Sequence, residues 1–296
     1  MIVENKVKKV EIGSGNEDQR IDNFLITEIK NIPKSHVYKL IRTGQVRINS
    51  SRVKPSTKLK IGDIVRIPPY KSTETIEPKI SQEMINKTIK NILYENDEII
   101  VFNKPSSLAV HSGTNAGYGL IDLIRLVKND CERIDLLNRL DKDTSGCILI
   151  SKNLRALRYY QKKMKNNEIQ KKYICLVKGI WDKKIKKNET NLFRKNKTKI
   201  AVSEFKVIKF FENTTLLEVE IITGRYHQIR KQCSMLSHPI ICDNKYGDSE
   251  INKIYKKKGL NRIFLHSYKI NIKEAVDIRI QCDIPKELDD FLDAHI

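Results

Sequence analysis

Apolar positions between residues 19 and 69 fall into two short helical stripes followed by alternation. Ile21, Phe24 and Leu25, then Val37, Leu40 and Ile41, recur at the three- and four-residue spacings that line one side of a helix. Asp22 stands near the first helix start, and Ser35 is placed to cap the second behind Pro33. Gly44 stops that helix. Val46 and Ile48 then alternate, Gly62-Asp63 marks a turn, and Ile64, Val65 and Ile67 form a strand that Pro68-Pro69 ends. Two short helices and a small sheet predict a compact α/β module at 17–78. The polar stretch KSTETIEPKISQEMINKTIK suits a linker, with room for one weak helix, and we place that linker at 79–90.

The remaining residues, 91–296, carry a different rhythm. Strand-like runs at 92–104, 147–150, 171–179 and 262–282 are separated by helical patterns at 119–129, 153–167, 225–237 and 284–296. The segment 201–224 reads as a hairpin turning at Glu212-Asn213, and the basic stretch 182–199 as a solvated excursion. Without regular strand-helix alternation, the expected class is α+β, with a mostly antiparallel mixed sheet flanked by helices, rather than a doubly wound fold.

Charge sharpens this picture. The chain has 56 Lys and Arg against 36 Asp and Glu, a formal charge of +20. Glu17 to Tyr70 alone holds 11 basic and 5 acidic residues. Such an excess favours a polyanionic partner, nucleic acid before an anionic membrane surface. The six cysteines form no CxxC pair and the six histidines no repeated ligand spacing, so a reduced, cytoplasmic protein without a structural metal is expected. No apolar run approaches the roughly 20 residues that span a bilayer, and the first residues lack a signal-peptide core. No extended apolar surface stripe is evident, so a monomer is expected. GxGxxG and GxxxxGK[ST] are absent, which leaves a nucleotide cofactor without support.

Three places could carry chemistry. In 138-NRLDKDTSGCILI-150, Asp141 lies beside a predicted buried strand, where a carboxylate needs a partner to stay ionised. Arg139 or an arginine from elsewhere can supply it. Pattern alone does not separate this reading from an Asp-rich turn closed by local salt bridges. The tract 223-TGRYHQIRKQ-232 gathers Arg225, His227 and Arg230 at a strand-to-helix junction, where free N–H groups and a guanidinium fork would seat a phosphate; a solvated amphipathic helix is the alternative. Tyr173, in 171-KKYICLV-177, alternates with inward-facing residues and could stack on a base or serve as a core tyrosine. His238, Cys242 and Asp243 fit a buried turn better than a metal site.

Taken in order, NKPSSLAVH at 103–111, RLDKDTSG at 139–146, KKY at 171–173, TGRYHQIR at 223–230, HPIICDNKYG at 238–247 and RIFLH at 262–266 resemble the pseudouridine synthase family that acts on ribosomal large-subunit RNA. The module at the front resembles the S4 RNA-binding domain. The resemblance implies an isomerase that converts specific uridines of 23S ribosomal RNA, free or in a large-subunit assembly intermediate, without cofactor or metal. It places the catalytic aspartate on Asp141, the base-stacking tyrosine on Tyr173 and the arginine paired with the carboxylate on Arg230. Arg139, Arg225 and His227 fall where the family meets RNA, and the S4-like module offers Arg20, Lys34, Lys39, Arg42, Arg47, Arg52 and Lys54. Asn138 stands where the family usually has histidine, and Tyr226 where it usually has threonine. Two rivals remain on sequence grounds: a non-catalytic RNA-binding protein, and a metal-dependent nuclease built on Asp141 and Asp143.

Overall fold

A computed structural model describes residues 2–29, 32–73, 80–111, 118–131, 133–194 and 196–295. The chain divides into two compact units, Met1–Lys79 and Ile80–Ile296.

The first unit contains β1 (Ile2–Asn5), β2 (Lys8–Glu11), α1 (Ile21–Glu28), α2 (Lys34–Arg42), β3 (Arg47–Ile48), β4 (Ser51–Arg52), β5 (Ile64–Ile67) and β6 (Tyr70–Thr73). β2, β5, β3 and β4 form one sheet in that order, and β1 pairs with β6. The apolar stripes meet as expected, with Ile21, Leu25, Leu40 and Ile41 buried against Val46 and Val65. Gly44, at φ +69°, ends α2, and the following amide of Gln45 returns to the Leu40 carbonyl. Asn49 and Ser50 both take positive φ, the two-residue turn that lets β3 double back onto β4.

One expectation needs correction here. Pro33 is the residue that precedes α2, and Ser35 lies inside the helix without capping it. Ahead of residue 17, β2 adds a strand to the sheet by pairing along its whole length with β5. The proposed boundary at 78/79 lies outside the described residues. Within the stretch read as a linker with room for one weak helix, α3 (Gln82–Lys90) forms, its first turn capped by the Ser81 hydroxyl accepting from the Met84 amide.

The second unit continues with β7 (Ile92–Glu95), β8 (Ile99–Lys104), α4 (Leu120–Val127), β9 (Asp135–Leu136), β10 (Ser145–Ser151), α5 (Leu154–Lys165), β11 (Ile169–Lys178), β12 (Lys187–Arg194), β13 (Lys197–Phe210), β14 (Thr214–Ile221), α6 (Gln228–Met235), α7 (Ser249–Lys257), β15 (Leu265–Ile272), β16 (Ile278–Gln281) and α8 (Lys286–His295). One sheet runs β12-β13-β14-β11-β15-β10-β8-β7, with β16 beside β15 and β9 beside β10. Among the described strands only β10 and β15 run parallel. The α+β class with a mostly antiparallel mixed sheet is therefore the observed one. The stretch 182–199, expected to be a solvated excursion, contains β12, fully paired with β13. Its charged residues sit on an edge strand that its pattern alone did not reveal.

β10 is buried along its whole length, so helices must cover both sheet faces. Ile148 and Ile150 enter a core with Leu120, Ile124 and Cys175. Cys147 and Leu149 enter another with Tyr160 and Ile270. All six cysteines are free thiols. β10 approaches β15 so closely at its first residues that Gly146, at φ +106°, has no room for a side chain: a Cβ there would lie 2.2 Å from the Ser267 carbonyl oxygen. Gly146→Ala should therefore cost about 3 kcal/mol or more in a urea unfolding titration, since strain and overlap act together. A loss under 0.5 kcal/mol would mean that the two strands separate freely.

Candidate active site

Asp141 sits on the loop between β9 and β10, and that loop is held through its backbone. Lys104, fully buried at the end of β8, donates to the carbonyls of Pro105 at 2.8 Å, Leu108 at 3.0 Å and Lys142 at 2.9 Å. Burial and the nearby Arg262 lower its pKa to about 7, against the pull of Asp143 and Asp141. Ser106 donates its hydroxyl to the Asp143 carbonyl at 3.0 Å, and Arg262 donates to the Ser145 hydroxyl at 2.7 Å. Asn138 accepts the Leu149 amide at 2.7 Å, a backbone role that needs neither the charge nor the ring of a histidine. Lys142 and Asp143 point to solvent, while Asp141 is half-buried. These anchors on both sides of residue 141 fix where its carboxylate emerges.

The second wall begins after β14. Gln228 opens α6 and accepts from the Thr223 hydroxyl at 2.8 Å and the Arg225 amide at 2.9 Å, while its own amide group donates to the Val202 carbonyl at 2.9 Å. One turn on, Gln232 donates to the Ala201 carbonyl at 3.1 Å and accepts from the Ser203 hydroxyl at 2.7 Å. Two buried glutamines thus lock α6 onto β13, a feature not recognised from sequence because glutamine alone carries no burial signal. The helix starts at Gln228, later than the TGR turn suggested. His227 precedes it at φ +52°. Arg225 is exposed and reaches back to the Ile200 carbonyl at 2.9 Å.

α6 aims Arg230 between two carboxylates. Its Nη1 donates to Asp141 Oδ2 at 3.0 Å, and its Nε and Nη2 fork the carboxylate of Asp243 at 2.8 and 2.7 Å. Asp243 is fully buried and also accepts the amides of Lys245 and Tyr246 at 2.8 and 3.1 Å. Burial alone would raise its pKa, but the Arg230 fork and those amides outweigh it and leave it below the usual carboxylate range. Arg230 loses solvation too, and its two carboxylates more than restore its proton affinity. Its guanidinium also lies 5.2 Å from the Tyr246 ring centre. Sequence reasoning placed Arg230 beside a carboxylate and missed Asp243 as the group that holds it.

His227 is the second neighbour of Asp141, its Nε2 3.6 Å from Oδ1. Its Nδ1 lies 3.0 Å from the Tyr246 hydroxyl, and Tyr226 stacks on its ring with centroids 3.6 Å apart. Burial, reinforced by Arg230 and Lys245 against the attraction of Asp141, lowers its pKa to about 4. It is therefore neutral at pH 7. Tyr173 projects from β11, 5% exposed, and burial raises its phenol's pKa, offset in part by the neighbouring Ser267 hydroxyl and reinforced by the Asp141 charge.

One cavity of about 1280 Å³ is lined by Asp141, Tyr173 and Arg230 together with Arg139, Arg225 and His227. The structure thus gathers all six candidate residues of the second unit around one space. Arg139 is exposed at its rim. In the first unit Arg20, Lys34, Lys39, Arg42, Arg47, Arg52 and Lys54 are all exposed. Arg20 pairs with the buried Asp22 at 2.6 Å, and Tyr38 donates to the same carboxylate at 3.1 Å. Among the described residues no group of His, Cys, Asp and Glu is arranged to hold a metal, and no helix is long and apolar enough to cross a membrane.

Two outcomes follow from this geometry. Asp243→Asn should lower stability by about 1–3 kcal/mol, because it removes one of the two charged partners of Arg230 and leaves only Asp141 to balance it. It should also lower turnover about a hundredfold with little change in KM, since Arg230 is no longer aimed at Asp141. Turnover at the parent level would show that Asp243 does not position Arg230. The second outcome concerns pH. The unfolded chain takes up a proton on residue 227 near pH 6.5, whereas the folded chain does so only at about pH 4. Stability is therefore lost as pH falls through that window. His227→Gln should flatten the decline between pH 7 and pH 5 in denaturant titrations; an unchanged decline would place the missing protons on other groups.

Comparison with known proteins agrees with this architecture. Residues 98–235 match the RNA pseudouridylate synthase family, and residues 19–65 match the S4 domain. The chain is 38% identical over 287 residues to Ribosomal large subunit pseudouridine synthase C of Haemophilus influenzae, covering 92% of this chain and 89% of that one. It is also 38% identical over 277 residues to the protein of the same name from Escherichia coli K12, covering 88% and 87%. In fold it is similar to the structure of human RNA Pseudouridylate Synthase Domain Containing 4, with a TM-score of 0.61 and 20% identity, covering 71% of this chain and 95% of that one. The chain belongs to the RNA pseudouridylate synthase family, with an S4 domain ahead of its synthase region.

Proposed function

We propose that this protein isomerises specific uridines of 23S ribosomal RNA to pseudouridine, with Asp141 as its catalytic group. Three charged or aromatic side chains around one cavity support this reading, and the Asp141–Arg230 contact at 3.0 Å carries it. The reaction breaks the C1′–N1 bond, turns the uracil over, joins C5 to C1′ and releases the C5 proton. Atoms and electrons balance without an outside oxidant, reductant or group donor.

The target atoms are hidden in stacked RNA, so the nucleotide must first be extruded into the cavity. Tyr173 receives the face of the uracil there, and Arg139 at the rim helps to hold the flipped nucleotide. Asp141 then acts as nucleophile at C1′ or as the base that removes the C2′ proton. Both routes use the Asp141 carboxylate, to which the guanidinium of Arg230 donates a direct hydrogen bond. Arg225 and His227 offer donors to the RNA at the other wall. The exposed basic residues of the first unit, from Arg20 to Lys54, bind RNA by phosphate contacts and shape, so affinity falls as salt rises. The protein acts in the cytoplasm as a monomer, on large-subunit RNA free or within an assembly intermediate.

Unmodified 23S transcript carrying tritium at uracil C5 tests this reading, because conversion releases the label. Wild-type protein in EDTA should release tritium, and Asp141→Asn should lower the rate by about 10⁴-fold or more while RNA binding is retained. Wild-type protein that releases none would overturn the enzymatic assignment, and loss of release in EDTA would overturn metal-independent chemistry.

A further inference from the structure

Lys171 stands two residues before Tyr173 on β11, and both line the same cavity. It is only 8% exposed. Its environment differs from that of every other buried or half-buried lysine discussed above. Lys104 gives its ammonium to three carbonyls, and the neighbouring Lys172 pairs with Glu218 at 3.0 Å. Lys171 has neither a carboxylate nor a hydrogen-bond acceptor among the described residues. Burial lowers its pKa with no opposing charge. Its nitrogen is not one of the sealed, partnerless atoms, as Asn138 Nδ2 is, so it keeps an opening, and the cavity is the space that it lines.

Keeping charge on a buried amine without a partner costs several kcal/mol, which folding alone gives no reason to retain. An anion entering the cavity would remove that cost, and a buried ammonium attracts it more strongly than the exposed Arg139 or Arg225, whose charges water screens. The spacing agrees: Lys171 and Tyr173 are roughly 7 Å apart along the strand, comparable to the separation of a nucleobase from the phosphate on its own ribose. We infer that Lys171 positions the substrate by binding the backbone phosphate of the extruded uridine while Tyr173 holds its base. This rests on the uridine-isomerase reading and adds a phosphate seat deep in the cavity, distinct from the rim arginines.

Lys171→Met, which keeps the length and removes the charge, separates a binding role from a packing role. Its thermal midpoint should rise by a few degrees, because an unpaired buried charge is gone. Its kcat/KM for tritium release from the 23S transcript should fall tenfold or more, with Lys171→Arg recovering part of the loss. The slope of log affinity against log salt should flatten by about 0.7–0.9 in filter binding, the signature of one lost phosphate contact. Unchanged kcat/KM and salt slope would overturn the inference. So would lost activity with a lowered midpoint, which marks a packing lysine, or lost activity with an unchanged slope, which marks a neutral acceptor such as a uracil carbonyl. Failure of wild-type protein to release tritium would instead strike the isomerase reading beneath it.

Discussion

The guanidinium of Arg230 lies between two carboxylates and serves them differently. Asp243, fully buried and accepting two backbone amides as well, fixes one edge of the guanidinium with two parallel hydrogen bonds. The remaining nitrogen is thereby aimed at Asp141, which is half-buried and faces the cavity. A flexible arginine would spread its single contact over many rotamers. One held by a bidentate fork presents a fixed donor, and the entropy of ordering it is lost at folding rather than at reaction.

That arrangement needs the Asp141 loop and α6 to meet in register, and the two are positioned by unrelated means. The loop hangs from β10, whose closeness to β15 leaves room only for Gly146, and is tied from below by Lys104 and Arg262 through backbone carbonyls and a hydroxyl. α6 is fastened to β13 by Gln228 and Gln232. Both sets of bonds are buried, where hydrogen bonds between fixed partners are strongest and their loss most costly. The geometry around Asp141 is thus set by the sheet and by the helix fastened to it.

Much of this was legible in the sequence. Asp141, Tyr173 and Arg230 were each ambiguous alone and became a set only through the order of motifs, and the fold brings them to one cavity. The class and the two-unit plan followed from periodicity, as did the stop at Gly44. What escaped depends on contacts distant in sequence. Asp243 read as a turn residue because nothing local marks its fork with Arg230. Lys171 read as part of a motif because burial of a charge is a tertiary fact. β12 was hidden by basic residues that solvent tolerates equally on an edge strand or a coil, and Ser35 lost its capping role because the helix begins at Lys34.

A double-mutant cycle on Asp243→Asn and Arg230→Met, read as kcat in tritium release, bears most directly on the relay. If Asp243 acts through Arg230 alone, the asparagine slows the parent enzyme and changes nothing once residue 230 is methionine. Two losses that multiply would contradict the account, because Asp243 would then influence the reaction without the guanidinium between them.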